Sequence, residues 1–363
     1  MKKERVLTLL IILYVGVTLI SRGETLNIVK FVDFNTIFVI AALLLVSRGM
    51  ELSGAFTKLS MKLMSASKES PKYLAMMLAA ASAATASVVM NDTALFIFIP
   101  LTMTVSRMCG VELACLAPLV TIAVNVGSAL TPMGNPQNII IWQHYRVAFH
   151  VFIASLAPFT LIALAILMMY IYLVLEGAAR FKPLPKPPAV KLSKKLLIAS
   201  IILLVIDVAL AQYRLSAVAL ILTAAALLLV RKEVVVTVDY VLIAMFILMF
   251  ADFRGLASIL APAMSGLAVT SSVTEIFMSF ALSQVVSNVP ATLFLIGHVS
   301  SWESLAVGTN LGGVGLITGS LANIITIRLA GISIKEFHKY VLPYFAALLI
   351  VVLMLAAAGL YPH

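Results

Sequence analysis

The sequence predicts an all-α polytopic membrane protein built from two inverted repeats, with about nine transmembrane helices, two re-entrant helical hairpins and two interrupted helices. Three observations predict it. The first is composition: 62% of the 363 residues are hydrophobic and 11% are charged, with a mean hydropathy of +1.12. Soluble domains average about 45–50% apolar and about 25% charged. The second is an internal repeat. Residues 123–140 align without a gap on residues 308–325, at a constant offset of 185. Asn125 falls on Asn310, Gly127 on Gly312, Gly134 on Gly319 and Asn138 on Asn323. Gly and Asn in the middle of apolar segments gain a continuous helix nothing, and matched interruptions in two halves are the mark of a repeat-built transporter. The third is loop charge, taken up below.

The elements follow in order. Lys2, Lys3 and Arg5 precede an apolar run from Val6 to Ile20. No small-x-small cleavage site follows, so the run reads as a retained first helix. Apolar runs predict further spans near 34–48, 152–175, 196–211, 215–230, 239–253 and 341–360. Regions 73–107 and 270–300 are too long for one helix, and each has a polar break, Asn91-Asp92-Thr93 and Ser287-Asn288 respectively. Each is expected to form a hairpin that enters and leaves on one side. Regions 112–147 and 303–327 carry the repeated break and are expected as interrupted helices. The Pro- and Lys-rich stretch Lys182–Pro188 marks a semi-rigid linker. The expected organisation is a first repeat over 1–176, a linker over 177–195, and a second repeat over 196–363 that begins with an extra helix at 196–211.

Basic residues select the orientation. Crossing once per span from a cytoplasmic N-terminus puts Arg48, Lys58, Lys62, Lys68 and Lys72 inside, then Arg107, the six cations of 177–195, Arg231-Lys232, and Arg328, Lys335 and Lys339. The outside loops hold only Arg22, Lys30, Arg146, Arg214 and Arg254. This is the positive-inside pattern. It predicts a multi-pass protein of the cytoplasmic membrane with its C-terminus outside. The net charge of +10 is explained by these loops and anionic lipid, without nucleic acid. Cys109 and Cys115 form no disulfide framework or metal cluster, and the histidines have no metal-ligand spacing. Trp142 and Arg146 read as interface anchors, Asp207 as an interfacial charge, and Asp252 with Arg254 as a helix end at the outer surface.

Backbone groups freed at a break in lipid must be buried in protein or line a polar cavity. Four breaks converging near the midplane therefore make a site. The helix N-termini after each break suit an anion, and freed carbonyls with Asn and Ser side chains suit Na⁺ or a proton-coupled water. The candidate solute- or ion-binding residues are Asn91, Asp92, Thr93, Asn125, Asn135, Gln137, Asn138, Ser287, Asn288, Asn310, Gly312, Ser320 and Asn323. A Na⁺ site is placed near Asn91, Asp92 and Asn138. Asp92 carries the most weight, because an ionisable group at that depth is a functional hypothesis by default; the alternative is a helix N-cap. Its counterpart in the second half is Val289, so the chemistry is expected to be asymmetric and concentrated in the first half. No cofactor is expected beyond the coupling ion, Na⁺ or H⁺.

These residues resemble the ion-transporter superfamily that holds the arsenite efflux permeases, citrate–metal transporters, dicarboxylate–sodium symporters and one group of Na⁺/H⁺ antiporters. The motifs that carry the resemblance are Asn91-Asp92-Thr93-Ala94, residues 131–138, residues 287–290 and Gly312-Gly313-x-Gly315. The run Gly134–Asn138 is most similar to small citrate-transporter-like anion permeases. The resemblance implies that hairpin tips and interrupted spans hold solute and coupling ion, that one bundle moves against a scaffold, and that the protein is a homodimer. Dicarboxylate members carry Ser-Asn-Thr at both tips, whereas this chain has Asn91-Asp92-Thr93 and Ser287-Asn288-Val289; that departure argues against a dicarboxylate.

The function expected is secondary active transport of a small anion or oxyanion, coupled to Na⁺ or H⁺. Arsenite or antimonite efflux and Na⁺/H⁺ antiport stand as alternatives, and a channel as a further one. An intramembrane enzyme lacks the paired acids or Ser/His couple it needs, so no catalytic residue is assigned.

Overall fold

The computed structural model describes residues 3–21, 24–55, 58, 70–175, 192–264 and 271–361. The expected linker centred on Lys182–Pro188, with Lys62, Lys68 and Arg22, lies outside the described residues. Among those described, every regular element is helical.

The first half runs through α1 (Lys3–Ile20), α2 (Ile28–Phe31), α3 (Phe34–Leu52), α4 (Pro71–Ala86), α5 (Asn91–Cys109), α6 (Leu113–Ser128), α7 (Pro136–Tyr145) and α8 (Phe149–Val174). The second half holds α9 (Lys194–Gln212), α10 (Ser216–Val236), α11 (Tyr240–Met264), α12 (Ser272–Val286), α13 (Asn288–Leu295), α14 (Trp302–Val314), α15 (Leu321–Ala330) and α16 (Ile334–Ala357).

Local chemistry sets many of these boundaries. The Asp33 carboxylate starts α3 by accepting from the backbone N–H of Asn35 at 3.1 Å and of Thr36 at 3.4 Å, which satisfies donors a helix start leaves free. Proline opens α4 and α7, where its missing N–H costs nothing. Gly110 ends α5 in the left-handed region at φ 69°. Ser333 and Glu336 form a reciprocal capping box that starts α16.

Among the described residues, five helices are long and apolar enough to cross a membrane: α3, α8, α9, α11 and α16. The other membrane segments include those that divide one crossing between two short helices. Between α6 and α7 lies a 3₁₀ turn, Pro132–Gly134, and between α14 and α15 lies its equivalent, Ile317–Gly319. The 185-residue offset read from the sequence holds here in the backbone. Helix α7 spans 136–145 and α15 spans 321–330. Their N-caps Asn135 and Ser320 are both extended, at φ −142° and −151°. Both end in left-handed residues, Arg146 at φ 54° and Gly331 at φ 66°.

Packing divides the helices into two groups. The first hairpin (α4, α5) packs on α6, and the second (α12, α13) on α14. These pieces, with α7, α8, α15 and α16, form one group. Helices α9 and α10 pack on α3, and α1 packs on α11. The two groups meet where α3 touches α7 and α11 touches α13.

Three positions differ from expectation. Asp207 is 2% exposed rather than interfacial, because α10 covers it and Thr223 Oγ1 donates to its carboxylate at 2.8 Å. Asp252 is 0% exposed rather than at a helix end, because α11 continues three turns beyond it to Met264. Trp142 is 2% exposed and packs edge-on to Phe149 at 5.8 Å, so it is a core residue; Arg146 is exposed.

Candidate functional site

Four helices begin at one small cavity. Asn91 and Asp92 stand at the start of α5, Pro136 and Gln137 at the start of α7, Ser287 and Asn288 at the start of α13, and Ser320 and Leu321 at the start of α15; all line it. Leu242, Phe246 and Met249 of α11 form its apolar wall. The first turn of a helix exposes unpaired N–H groups and the positive end of the dipole. Four such ends facing one space make a field suited to negative charge. The cavity volume is about 30 Å³, room for a water molecule or a bare ion.

The two hairpin tips are built alike. The Asn91 side-chain oxygen accepts from Asp92 N–H at 2.9 Å, and Asn288 oxygen accepts from Val289 N–H at 2.9 Å. They differ in backbone strain. Ser287 sits at φ 80°, ψ 157°, a region that only glycine occupies freely and that costs other residues about 1–3 kcal/mol. Such strain persists where surrounding structure holds it, commonly at functional sites.

A second, larger space adjoins the first. It measures about 360 Å³ and is lined by Arg48 and Glu51 of α3, Asp92, Thr93 and Phe96 of α5, and Thr237 to Asp239 at the head of α11. Asp92 and Leu242 belong to both spaces. Arg48 pairs with Glu51 at 2.7 Å and its Nε donates to Thr237 Oγ1 at 3.0 Å. Glu51, Asp92 and Asp239 line this space together with Arg48.

Four of the predicted asparagines stand off the cavity wall and hold the two interrupted helices together. Asn125 Nδ2 donates to Asn323 Oδ1 at 3.0 Å, and Asn310 Nδ2 donates to Asn138 Oδ1 at 2.7 Å. The two bonds are related by the 185-residue offset. Asn138 Nδ2 also donates to the freed carbonyls of Ser128, Ala129 and Thr131 at 3.1–3.3 Å. Asn323 does the same for Gly313 at 3.1 Å and Leu316 at 2.8 Å. These amides answer the need to satisfy broken backbone inside a bilayer.

The remaining candidates divide between wall and interior. Asn135 bonds Ser128 through a very short contact and reaches Asn310 Oδ1 at 3.3 Å; its own Oδ1 is buried without a partner. Gln137 donates to Asn310 Oδ1 at 3.3 Å, and its Oε1 is also buried without a partner. Ser320 caps α15 by accepting from Ala322 N–H at 3.2 Å. Thr93 lines the larger space only. Gly312 allows α14 to lie against α12, where a Cβ would strike Ser283.

Sequence reasoning missed Gln284. Its Nε2 donates to Gly312 O at 2.6 Å and its Oε1 accepts from Leu316 N–H at 2.6 Å, so one side chain bridges the second break. A lone glutamine in an apolar helix, just before a predicted tip, was the available signal. The apolar wall on α11 was also missed, since Leu242, Phe246 and Met249 look like any core stripe.

Comparison with known proteins adds identity to this geometry. Residues 2–302 match the citrate transporter family, CitMHS. The chain is 33% identical over 349 residues to the inner membrane protein YbiR of Escherichia coli, covering 94% of this chain and 92% of that protein. It is 28% identical over 313 residues to the uncharacterized transporter MJ0456 of Methanocaldococcus jannaschii, covering 85% of each. The solved YdaH transporter of Alcanivorax borkumensis, described as having an unusual topology, shares the fold with a TM-score of 0.57 at 14% identity, over 92% of this chain and 86% of that one. A helical chain with paired breaks, four helix starts around one cavity and this extent of family match is a multi-pass membrane transporter of the citrate transporter family.

Proposed function

We propose that the protein is a secondary active transporter that moves a small anion or oxyanion across the cytoplasmic membrane by alternating access, coupled to Na⁺ or H⁺. The observation that carries the reading is the meeting of four helix N-termini at one cavity between the two hairpin tips. Dipole ends and free N–H groups favour an anion there without a fixed cation that must be desolvated. The larger space beside Asp92 is the vestibule through which solute reaches the tips.

The inverted reading of the repeats places the first hairpin's mouth on the cytoplasmic side and the second's outside, with the N-terminus in and the C-terminus out. The vestibule then faces the cytoplasm, beside Arg48 and the Arg231-Lys232 loop. The coupling ion is assigned to the first half: Asp92 with the Asn91 tip, and the unpartnered Gln137 Oε1, supply oxygen ligands of the kind Na⁺ takes. Asn138 contributes by fixing the break behind them. The functional unit is a homodimer, as the resemblance implies.

A second reading, Na⁺/H⁺ exchange at Asp92, is favoured by the place of that carboxylate on the wall of both spaces. One experiment separates them. Purified protein in liposomes is screened for uptake of citrate, phosphate, arsenite and short carboxylates, with and without Na⁺ and pH gradients. Saturable, gradient-driven uptake of one anion is the expected result. Clear Na⁺/pH exchange that no anion alters would overturn anion transport and establish the second reading.

A further inference from the structure

Helix α11 carries a carboxylate that the reading above does not use. Asp252 is 0% exposed, and both its oxygens are buried with no hydrogen-bond partner among the described residues. It stands on a ridge with a defined course. Met249, three residues before it, lies in the cavity wall. Gly255, three residues after it, packs against Val17 and Thr25, where a Cβ would collide with both side chains. Residues three apart share a helix face, so Asp252 lies between the cavity and the α1 seam, about 4.5 Å along the axis from Met249 at 1.5 Å per residue.

Among the described residues, no charge or donor is in place to balance it. On its own helix, Arg254 donates to Phe31 O at 3.4 Å and lies 3.4 Å from His144, and Tyr240 donates to Val235 O at 2.7 Å. On α1, Tyr14 donates to Thr25 O at 3.0 Å; Lys3, Glu4 and Arg5 belong to its first turn. On α2, Lys30 lies over the Phe31 ring. On α3, Asp33 caps its own helix, and Arg48 and Glu51 pair with each other. Helix α13, which packs on α11, carries no titratable residue. An ionised carboxylate in such a place has lost its hydration and gained nothing, whereas a protonated one fits. Asp207 and Glu275, the other buried acids among the described residues, differ: Thr223 donates to Asp207, and Ser300 and Ser301 donate to Glu275.

We propose that Asp252 is a proton-binding site of the transport cycle, set on α11 between the cavity wall and the α1 seam. With the seam closed the carboxyl holds its proton. When the tip moves from Met249, water from the cavity reaches the group; the O–H bond breaks, the proton leaves to that water, and the carboxylate is solvated. This rests on the carrier reading and adds to it H⁺ as a coupled ion bound in the second half, beside the ion site proposed in the first.

The test uses full-length protein in lipid bilayers and infrared difference spectroscopy across pH. The expected result is a protonated-carboxyl band that titrates, shifts in Asp252→Glu, is lost in Asp252→Asn and persists in Asp207→Asn. Absence of any Asp252-dependent band, or a band unchanged across the full pH range, overturns the proposal. The wild type and Asp252→Glu decide the matter if Asp252→Asn does not fold. Liposome uptake is the second measurement: Asp252→Asn is expected to abolish the pH-gradient dependence of uptake, and retention of that dependence sinks the coupling role. If none of the anions above moves, the carrier reading fails while the infrared result still judges proton binding.

Discussion

Ser287 and the asparagine clasp show how single residues carry this architecture. Ser287 holds a backbone conformation that glycine would hold without strain. Ser287→Gly is therefore expected to raise thermal stability by about 1 kcal/mol, the low end of such strain, while lowering uptake in liposomes, since the tip loses both its hydroxyl and its rigidity. A fall in stability would show that the hydroxyl's contacts outweigh the strain. Asn138 is different in kind. Removing its side chain takes a donor from the Ser128, Ala129 and Thr131 carbonyls and an acceptor from the Asn310 amide. Asn138→Ala is expected to cost about 1–3 kcal/mol per group left unpaired, moderated by water. The double variant Asn138→Ala/Asn310→Ala should cost less than the sum of the singles, because the two share a bond. Additive losses in a melting series would disprove the clasp. Both sites were visible in the sequence as polar residues in apolar runs. Whether each faced solute or backbone was not, because either role uses the same amide.

At the scale of elements, close approach between hairpin and interrupted helix is repeated in both halves. A Cβ on Gly127 would meet the backbone of Ala83 on α4, and one on Gly312 would meet Ser283 on α12. Overpacking of this kind costs about 1–3 kcal/mol. Gly127→Ala and Gly312→Ala are each expected to lower the melting temperature. Gly16→Ala, with open space around it, should leave it unchanged or raise it slightly through helix propensity. Equal effects at all three positions would mean that the glycines do not set the packing. The boundaries of the breaks were legible from the repeat itself, down to the 185-residue offset of the 3₁₀ turns. The extent of α11 was not. Asp252 and Arg254 look like a helix end when hydropathy alone is read, yet neighbouring helices bury the acid and the helix runs on.

For the whole molecule, the division into two packed groups of helices bears on how the cavity opens. In the orientation proposed above, the vestibule beside Asp92 faces the cytoplasm. In a background with Cys109 and Cys115 replaced by alanine, Thr93→Cys is expected to react with a membrane-impermeant maleimide applied from the cytoplasmic face and not from outside. A Na⁺ or pH gradient should change that rate. Labelling from outside alone would reverse the assigned orientation, and a rate indifferent to any gradient would argue against movement of the hairpin tips.

Composition, periodic breaks and loop charge by themselves determined the class, the helical content and the places where helices are interrupted. These are local and additive properties: a bilayer demands apolar length, and broken backbone demands Gly, Pro and Asn nearby. Only the tertiary structure decided which polar groups meet. It turned Asn125, Asn138, Asn310 and Asn323 toward one another and toward freed carbonyls, gathered four helix starts around about 30 Å³, and left Asp252 buried without a donor. Those outcomes depend on partners more than 100 residues away in the chain, such as Asn310 for Asn138. A linear reading of polarity has no means of pairing them.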